Sequence, residues 1–118
     1  RRPPTAVFCT NPLTTVGLLH RCLELGVSVP RDLSVIGFDD SDTRYRTFPR
    51  YSAVCQQADQ LGYEASRWLT RTLEGVENGP MRVHRPTVLS FNQSTGPAPT
   101  HPLQLSELAQ AEVSSAGP

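Results

Sequence analysis

The sequence predicts an α/β fold built on a parallel sheet, and three observations carry that prediction. Residues 33–38 form a short, largely apolar run broken by one Gly, which fits a strand covered on both faces by helices. A second run of strand character, Thr5-Ala6-Val7-Phe8-Cys9, lies upstream, and apolar residues at helical spacing fill the interval. The run 33–38 ends in Asp39 and Asp40. In open α/β sheets ligands sit beyond the carboxyl ends of the strands, which would bring both carboxylates to a ligand. The same pair also serves as turn residues that simply end the strand.

The elements follow in order. After the first strand, Asn11 is a good N-cap and Pro12 suits the first helical position, where its missing N–H has no intrahelical partner anyway. Leu13, Val16, Leu19 and Leu23 recur at steps of three and four and give the helix one apolar face. Gly26 stops it, Pro30 prevents a restart, and the run 33–38 completes a right-handed strand–helix–strand unit. Residues 41–50 are polar with interspersed aromatics and read as a loop of the kind that carries binding. Residues 51–54 are a brief extended piece. A second helix begins near Ala58 with Leu61, Ala65, Trp68, Leu69 and Leu73 on one stripe, Trp68 being expected in a core. Gly75 ends that helix and 78–80 form a turn. Residues 83–91 read as a last strand, with Pro86 marking a strand edge or a crossing between domains. From Gly96 the composition shifts to Pro, Ser, Ala and Gln, so 97–118 is expected to be disordered, with 103–113 as a possible exception.

Composition removes several function classes. The chain has 118 residues, 37% of them hydrophobic, enough for one modest core. Eleven basic and eleven acidic residues cancel, so no broad positive field for nucleic acid exists. No apolar run reaches bilayer length, and no stretch of signal-peptide type precedes the first strand. Cys9, Cys22 and Cys55 are odd in number and widely spaced, which argues against a zinc site or a disulfide framework and for reduced thiols in a cytosolic protein. Every basic residue is Arg, which excludes Schiff-base and Walker-type lysine chemistry. Asp39, Asp40 and Asp42 lack the Gly and distal Glu of a calcium loop, and His20, His84 and His101 are far apart. No metal, cofactor or enzymatic activity is expected.

A longer series of residues carries a resemblance. Residues 4–11, the helix end Leu23-Glu24-Leu25-Gly26 and above all Val29-Pro30-Arg31-Asp32-Leu33-Ser34-Val35-Ile36-Gly37-Phe38-Asp39-Asp40 resemble the C-terminal third of the lactose-repressor/galactose-repressor (LacI/GalR) family of transcription regulators. The likeness continues through Phe48-Pro49, Ala53-Val54-Cys55-Gln56, Leu61-Gly62, Arg85-Pro86-Thr87 and Ser94-Thr95.

The resemblance implies a partial type I periplasmic-binding-protein-like sensor domain, in which two Rossmann-like subdomains enclose a small molecule. Residues 1–96 would be the C-terminal portion of the effector-binding and dimerisation domain: 3–52 in the C-subdomain, 58–74 a helix of the N-subdomain, and 83–91 the crossing strand. The second helix would then lack its sheet, and Leu61, Trp68 and Leu69 would need another partner. The implied function is ligand sensing in a cytoplasmic repressor whose operator affinity changes with a sugar or nucleobase-like effector. Operator DNA would be reached only through a domain absent from this chain. A periplasmic-type sugar-binding protein of a transport system is the alternative.

Asn11, Asp39 and Gln56 are the implied effector contacts, with an N-cap role for Asn11 equally open. Leu13, Val16, Tyr45 and Phe48 are the implied homodimer contacts, although an intramolecular core would also account for Leu13 and Val16. Pro12 stands where the family usually has Asp, a departure within the cleft. Leu103, Leu105 and Leu108 resemble a family tetramerisation helix only vaguely, in a run too short for a coiled coil.

Overall fold

A computed structural model describes residues 3–39, 44, 46–101 and 103. Its elements are β1 (Ala6–Cys9), α1 (Pro12–Glu24), β2 (Ser34–Phe38), β3 (Ser52–Cys55), α2 (Ala58–Leu73) and β4 (Val88–Ser90). The sheet order is β1-β2-β3-β4, with the first three strands parallel and β4 antiparallel to β3. The expected strand–helix–strand unit is therefore present, and its parallel pairing matches Val7 to Val35 and Cys9 to Gly37.

Alternation along the strands gives the sheet two unlike faces. Cys9, Val35 and Ala53, with Tyr51 just ahead of β3, face α1 and meet Leu19, Cys22, Val27 and Leu33 in one core. Gly37 lies on that face because nothing larger fits there. A Cβ on it would come within 2.8 Å of Thr15 Oγ1 and 2.9 Å of Tyr51 Cε2. Phe8, Ile36, Phe38, Val54 and Leu89 alternate to the other face, where the Phe8 and Phe38 rings meet edge-on at 6.4 Å. No described helix covers them.

The apolar face of α1 differs from the one the leucine spacing suggests. Thr15, Leu19 and Cys22 are its buried residues, whereas Leu13 and Leu23 are 80% and 79% exposed. At about 100° per residue, Leu13 lies roughly 160° around the helix from Thr15, away from the sheet. At Thr15 a small side chain suits the contact, because Gly37 and the Tyr51 ring crowd the same spot.

At its base the sheet is held by residues far along the chain. Continuing the β2–β3 register would let Ser52 N–H donate to Val35 C=O. Ser94 stands between them instead: Ser52 N donates to Ser94 Oγ at 2.8 Å, and that hydroxyl donates to the Val35 carbonyl. Val35 N in turn donates to Ser94 O at 2.8 Å. The Ser52 hydroxyl accepts from Asn92 N and bonds Thr95 Oγ1 at 2.7 Å. Ser94 and Ser52 are both fully buried.

Between Val27 and β2 a turn is closed by Asp32, whose Oδ2 accepts Ser28 N–H at 2.8 Å while Oδ1 accepts Arg31 Nε–H at 2.9 Å. The Arg31 hydrogen bond, and next the Ser28 N–H, hold the Asp32 carboxyl below its usual range. A folded-state pKa below the unfolded one stabilises at neutral pH, and that contribution is lost as pH falls through the carboxylate range. The urea midpoint measured at pH 7 and pH 3 should therefore fall less in Asp32→Asn than in wild type. Equal drops would remove Asp32 from the acid sensitivity.

α2 forms where expected, yet none of its residues is buried. Trp68, expected in a core, is half-buried and lines a cavity between α2 and the 77–85 segment. Ion pairs Arg71–Glu77 and Arg85–Glu64 hold that segment to the helix. The last strand is also shorter than the sequence suggests: the ladder occupies Val88–Ser90 rather than 83–91. Pro86 has no N–H for a ladder, and its carbonyl is taken by Gln57 Nε2 at 3.0 Å.

Candidate functional site

Because β1, β2 and β3 are parallel, the residues that follow them emerge along one edge of the sheet. Asn11 follows β1, Asp39 follows β2 and Gln56 follows β3. The three residues singled out in the sequence thus share the carboxyl edge, although their chain separations are large.

Asp39 and Gln56 are in direct contact: Gln56 Nε2 donates to Asp39 Oδ2 at 3.1 Å. The backbone explains how they meet. Asp39 adopts φ 76°, the left-handed region that Asp and Asn tolerate better than most residues, and its N–H donates to Val54 O at 2.8 Å. That bond extends the β2–β3 pairing one step past the strand and turns the carboxylate across β3, where Gln56 reaches it. Asp39 is half-buried and Gln56 exposed, so the pair borders solvent.

Asn11 caps α1. Its Oδ1 accepts Thr14 N–H at 2.9 Å and the Thr14 hydroxyl at 3.2 Å, while Pro12 opens the helix. Its carbonyl accepts the hydroxyl of Thr15 at 2.8 Å. All described bonds of the side chain go through Oδ1, so among the described residues the Nδ2 amine has no partner within the chain. The cap role is therefore real, and it leaves the donor half of the amide available at the sheet edge.

Arg44 was not singled out in the sequence. It is buried beside this edge and donates from NH1 to Cys55 Sγ at 3.4 Å. A polar ten-residue loop gives no sign of which of its arginines turns inward. Asp40, Asp42 and Tyr45 lie outside the described residues. Among the implied dimer contacts, Leu13 and Phe48 project outward at 80% and 89% exposure. Val16 is half-buried against the chain's own core. No cluster of three or more His, Cys, Asp or Glu able to hold a metal occurs among the described residues. No described helix is long and apolar enough to cross a membrane.

The sequence matches the periplasmic binding protein-like domain family over residues 1–95. The chain belongs to that family. Within it, the chain is part of the effector-binding domain of the LacI type of transcription regulator. The HTH-type transcriptional repressor CytR of Escherichia coli is 36% identical over 78 residues, which cover 66% of this chain and 23% of CytR. The transcription regulator CcpA of Lactococcus lactis superposes with a TM-score of 0.73 at 26% identity, over 78% of this chain and 34% of that one. A complex of the transcriptional regulator CelR with cellobiose superposes with a TM-score of 0.72 at 30% identity, over 76% of this chain and 28% of CelR. This LacI-type chain therefore spans about a quarter to a third of the length of these relatives. These relatives are regulators rather than enzymes.

Proposed function

We propose that this chain is the sensing and dimerisation part of a cytoplasmic DNA-binding repressor, whose operator affinity changes when a sugar is held at the edge formed by Asn11, Asp39 and Gln56. The observation that carries the reading is the Asp39–Gln56 pair on the carboxyl edge, with the Asn11 amine emerging from the neighbouring strand. An ionised carboxylate accepts from adjacent hydroxyls, and an amide donor adds a bond of the opposite sense, a set suited to a polyhydroxylated ring. The cellobiose complex of CelR supports a sugar over a nucleobase.

In this reading residues 3–52 supply one wall of a cleft, and the opposite wall belongs to a part of the domain outside this chain. α2 belongs with that opposite lobe, which accounts for its Leu69 and Leu73 being left exposed here. Leu13 and Phe48 meet a second copy, and a ligand that favours one closure of the cleft changes how the two copies are held. Operator contact is made by another domain.

The test is a thermal-shift screen of sugars and nucleosides on the full-length protein. Asp39→Asn keeps a residue that tolerates positive φ and removes the charge, so it separates binding from backbone strain. It should weaken the best ligand by about 2 kcal/mol, roughly thirtyfold. Asn11→Ser keeps a good cap and loses the amide, and should weaken binding without lowering the unliganded melting temperature by more than a degree or so. An unchanged ligand shift in Asp39→Asn refutes the site.

A further inference from the structure

Tyr51 lies just ahead of β3 and is fully buried, and among the described residues its hydroxyl has no hydrogen-bond partner. A buried hydroxyl without a partner forfeits its hydration and recovers nothing in the core, so a phenylalanine would serve the packing equally well. The atom is shut inside the chain, which keeps both a second protein and a ligand from touching it directly. Its partner must therefore come from within the fold.

The register shows which way the ring points. Ser52 pairs with Ile36, so Tyr51 stands level with Val35, one step nearer the base of the sheet. The ring nevertheless reaches Gly37, two residues further toward the carboxyl edge, where Cε2 lies 2.9 Å from the position a Cβ would take. Cε2 adjoins the carbon that carries the hydroxyl, so the hydroxyl end leads toward that edge. Thr15 Oγ1 lies 2.8 Å from the same point. Thr15 is also fully buried, and its hydroxyl donates its hydrogen to Asn11 O at 2.8 Å. What remains on Thr15 Oγ1 is acceptor capacity, and what Tyr51 brings is a donor. The two hydroxyls match in sense and flank the space that Gly37 leaves open.

We infer that Tyr51 is a positioning residue for Asn11. A small inward shift of the first turn of α1 completes a chain from the Tyr51 hydroxyl to Thr15 Oγ1 to the Asn11 carbonyl, and so fixes the cap residue whose Nδ2 amine stands at the sheet edge. A ligand bonded to that amine favours the completed chain, and by linkage the completed chain favours the ligand. The inference rests on the sugar edge proposed above. It adds that the Tyr51 hydroxyl contributes to binding and not to the stability of the unliganded fold.

The experiment is calorimetry on the full-length protein with cellobiose, lactose and adenosine as probes, alongside melting curves without ligand. Tyr51→Phe should melt within about a degree of wild type or above it, yet bind the tightest of the three probes at least about fivefold more weakly. In an Asn11→Ser background, where the amide is gone, the same change should weaken binding by less than about twofold. Unchanged affinity in Tyr51→Phe, with a loss in Asp39→Asn, would overturn this inference and leave the sugar edge standing. An equal loss in both backgrounds would also overturn it, since the hydroxyl would then act other than through Asn11. So would a lower melting temperature of unliganded Tyr51→Phe, by giving the hydroxyl a standing partner such as an internal water. Wild type that binds none of the three probes removes the proposed edge and this inference with it.

Discussion

Replacing Ser94 by Ala is expected to lower the unfolding free energy by about 2–4 kcal/mol, a larger loss than any other single hydroxyl among the described residues should give. Ser94 Oγ accepts from Ser52 N and donates to Val35 O, so its removal leaves a donor and an acceptor facing each other across a gap neither can close. Both serines are fully buried and Val35 is too, so water does not take the missing place without opening the sheet. Each buried polar group left without a partner costs about 1–3 kcal/mol, and two are affected. Urea unfolding of the full-length protein measures the loss. Hydrogen exchange locates it, since the Ser52 amide should exchange faster while amides near β1 change little. Thr95→Val is the comparison: among the described residues its hydroxyl bonds just Ser52 Oγ, at 2.7 Å in a half-buried setting, and its loss should cost about 1 kcal/mol. A Ser94→Ala variant within 0.5 kcal/mol of wild type would show that the base of the sheet does not depend on this rung.

Gly37→Ala carries the second large effect, about 3 kcal/mol of destabilisation, at the upper end of what an added methyl group does in a packed core. Here the usual arguments about glycine flexibility do not apply, because Gly37 sits in regular strand geometry within β2. The cost is steric. The new methyl would press on Thr15 Oγ1 at 2.8 Å and on Tyr51 Cε2 and Cδ2 at 2.9 and 3.1 Å. Thr15 cannot swing away cheaply, since its hydroxyl donates to Asn11 O, and the Tyr51 ring is fully buried. Tyr51→Phe should give no relief, because the clash is with ring carbons. Tyr51→Leu should, so the double variant Gly37→Ala/Tyr51→Leu is expected to be more stable by at least about 1 kcal/mol than the sum of the two single losses. Strict additivity would mean that the ring is not what the methyl meets.

The parts of this fold set by local patterning were readable from the residues alone. α1 was marked by Asn11-Pro12 at its start and Gly26 at its end, and β2 by its apolar run. Asp39 could be placed at a ligand edge by the logic of strand ends. Its hydrogen bond to Gln56 could not, because that contact joins residues 17 apart and depends on a positive φ and on parallel register. The leucine spacing marks only part of the buried face of α1: Leu19 and Val16 do face the core, while Leu13 and Leu23 point outward and Thr15 and Cys22, which carry no apolar signature of that strength, complete the contact. Ser94, in a polar Asn-Gln-Ser-Thr stretch, carries no local mark of burial. It becomes core only by returning 42 residues to β3 and 59 to β2. The amphipathic stripe of α2 was legible as a helix but could not reveal its partner, since none of the described strands covers it.

The ribosome delivers Ser94 well after both strands it joins. While residue 94 is still in the exit tunnel, a nascent chain can pair Ile36 with Ser52 but has a gap one step below. A chain ending between β3 and residue 94 would keep the Ile36–Ser52 pair and lack the rung below it. The β2–β3 pairing is thus completed from a residue that lies outside both strands, and its last rung depends on the far end of the domain folding back onto them.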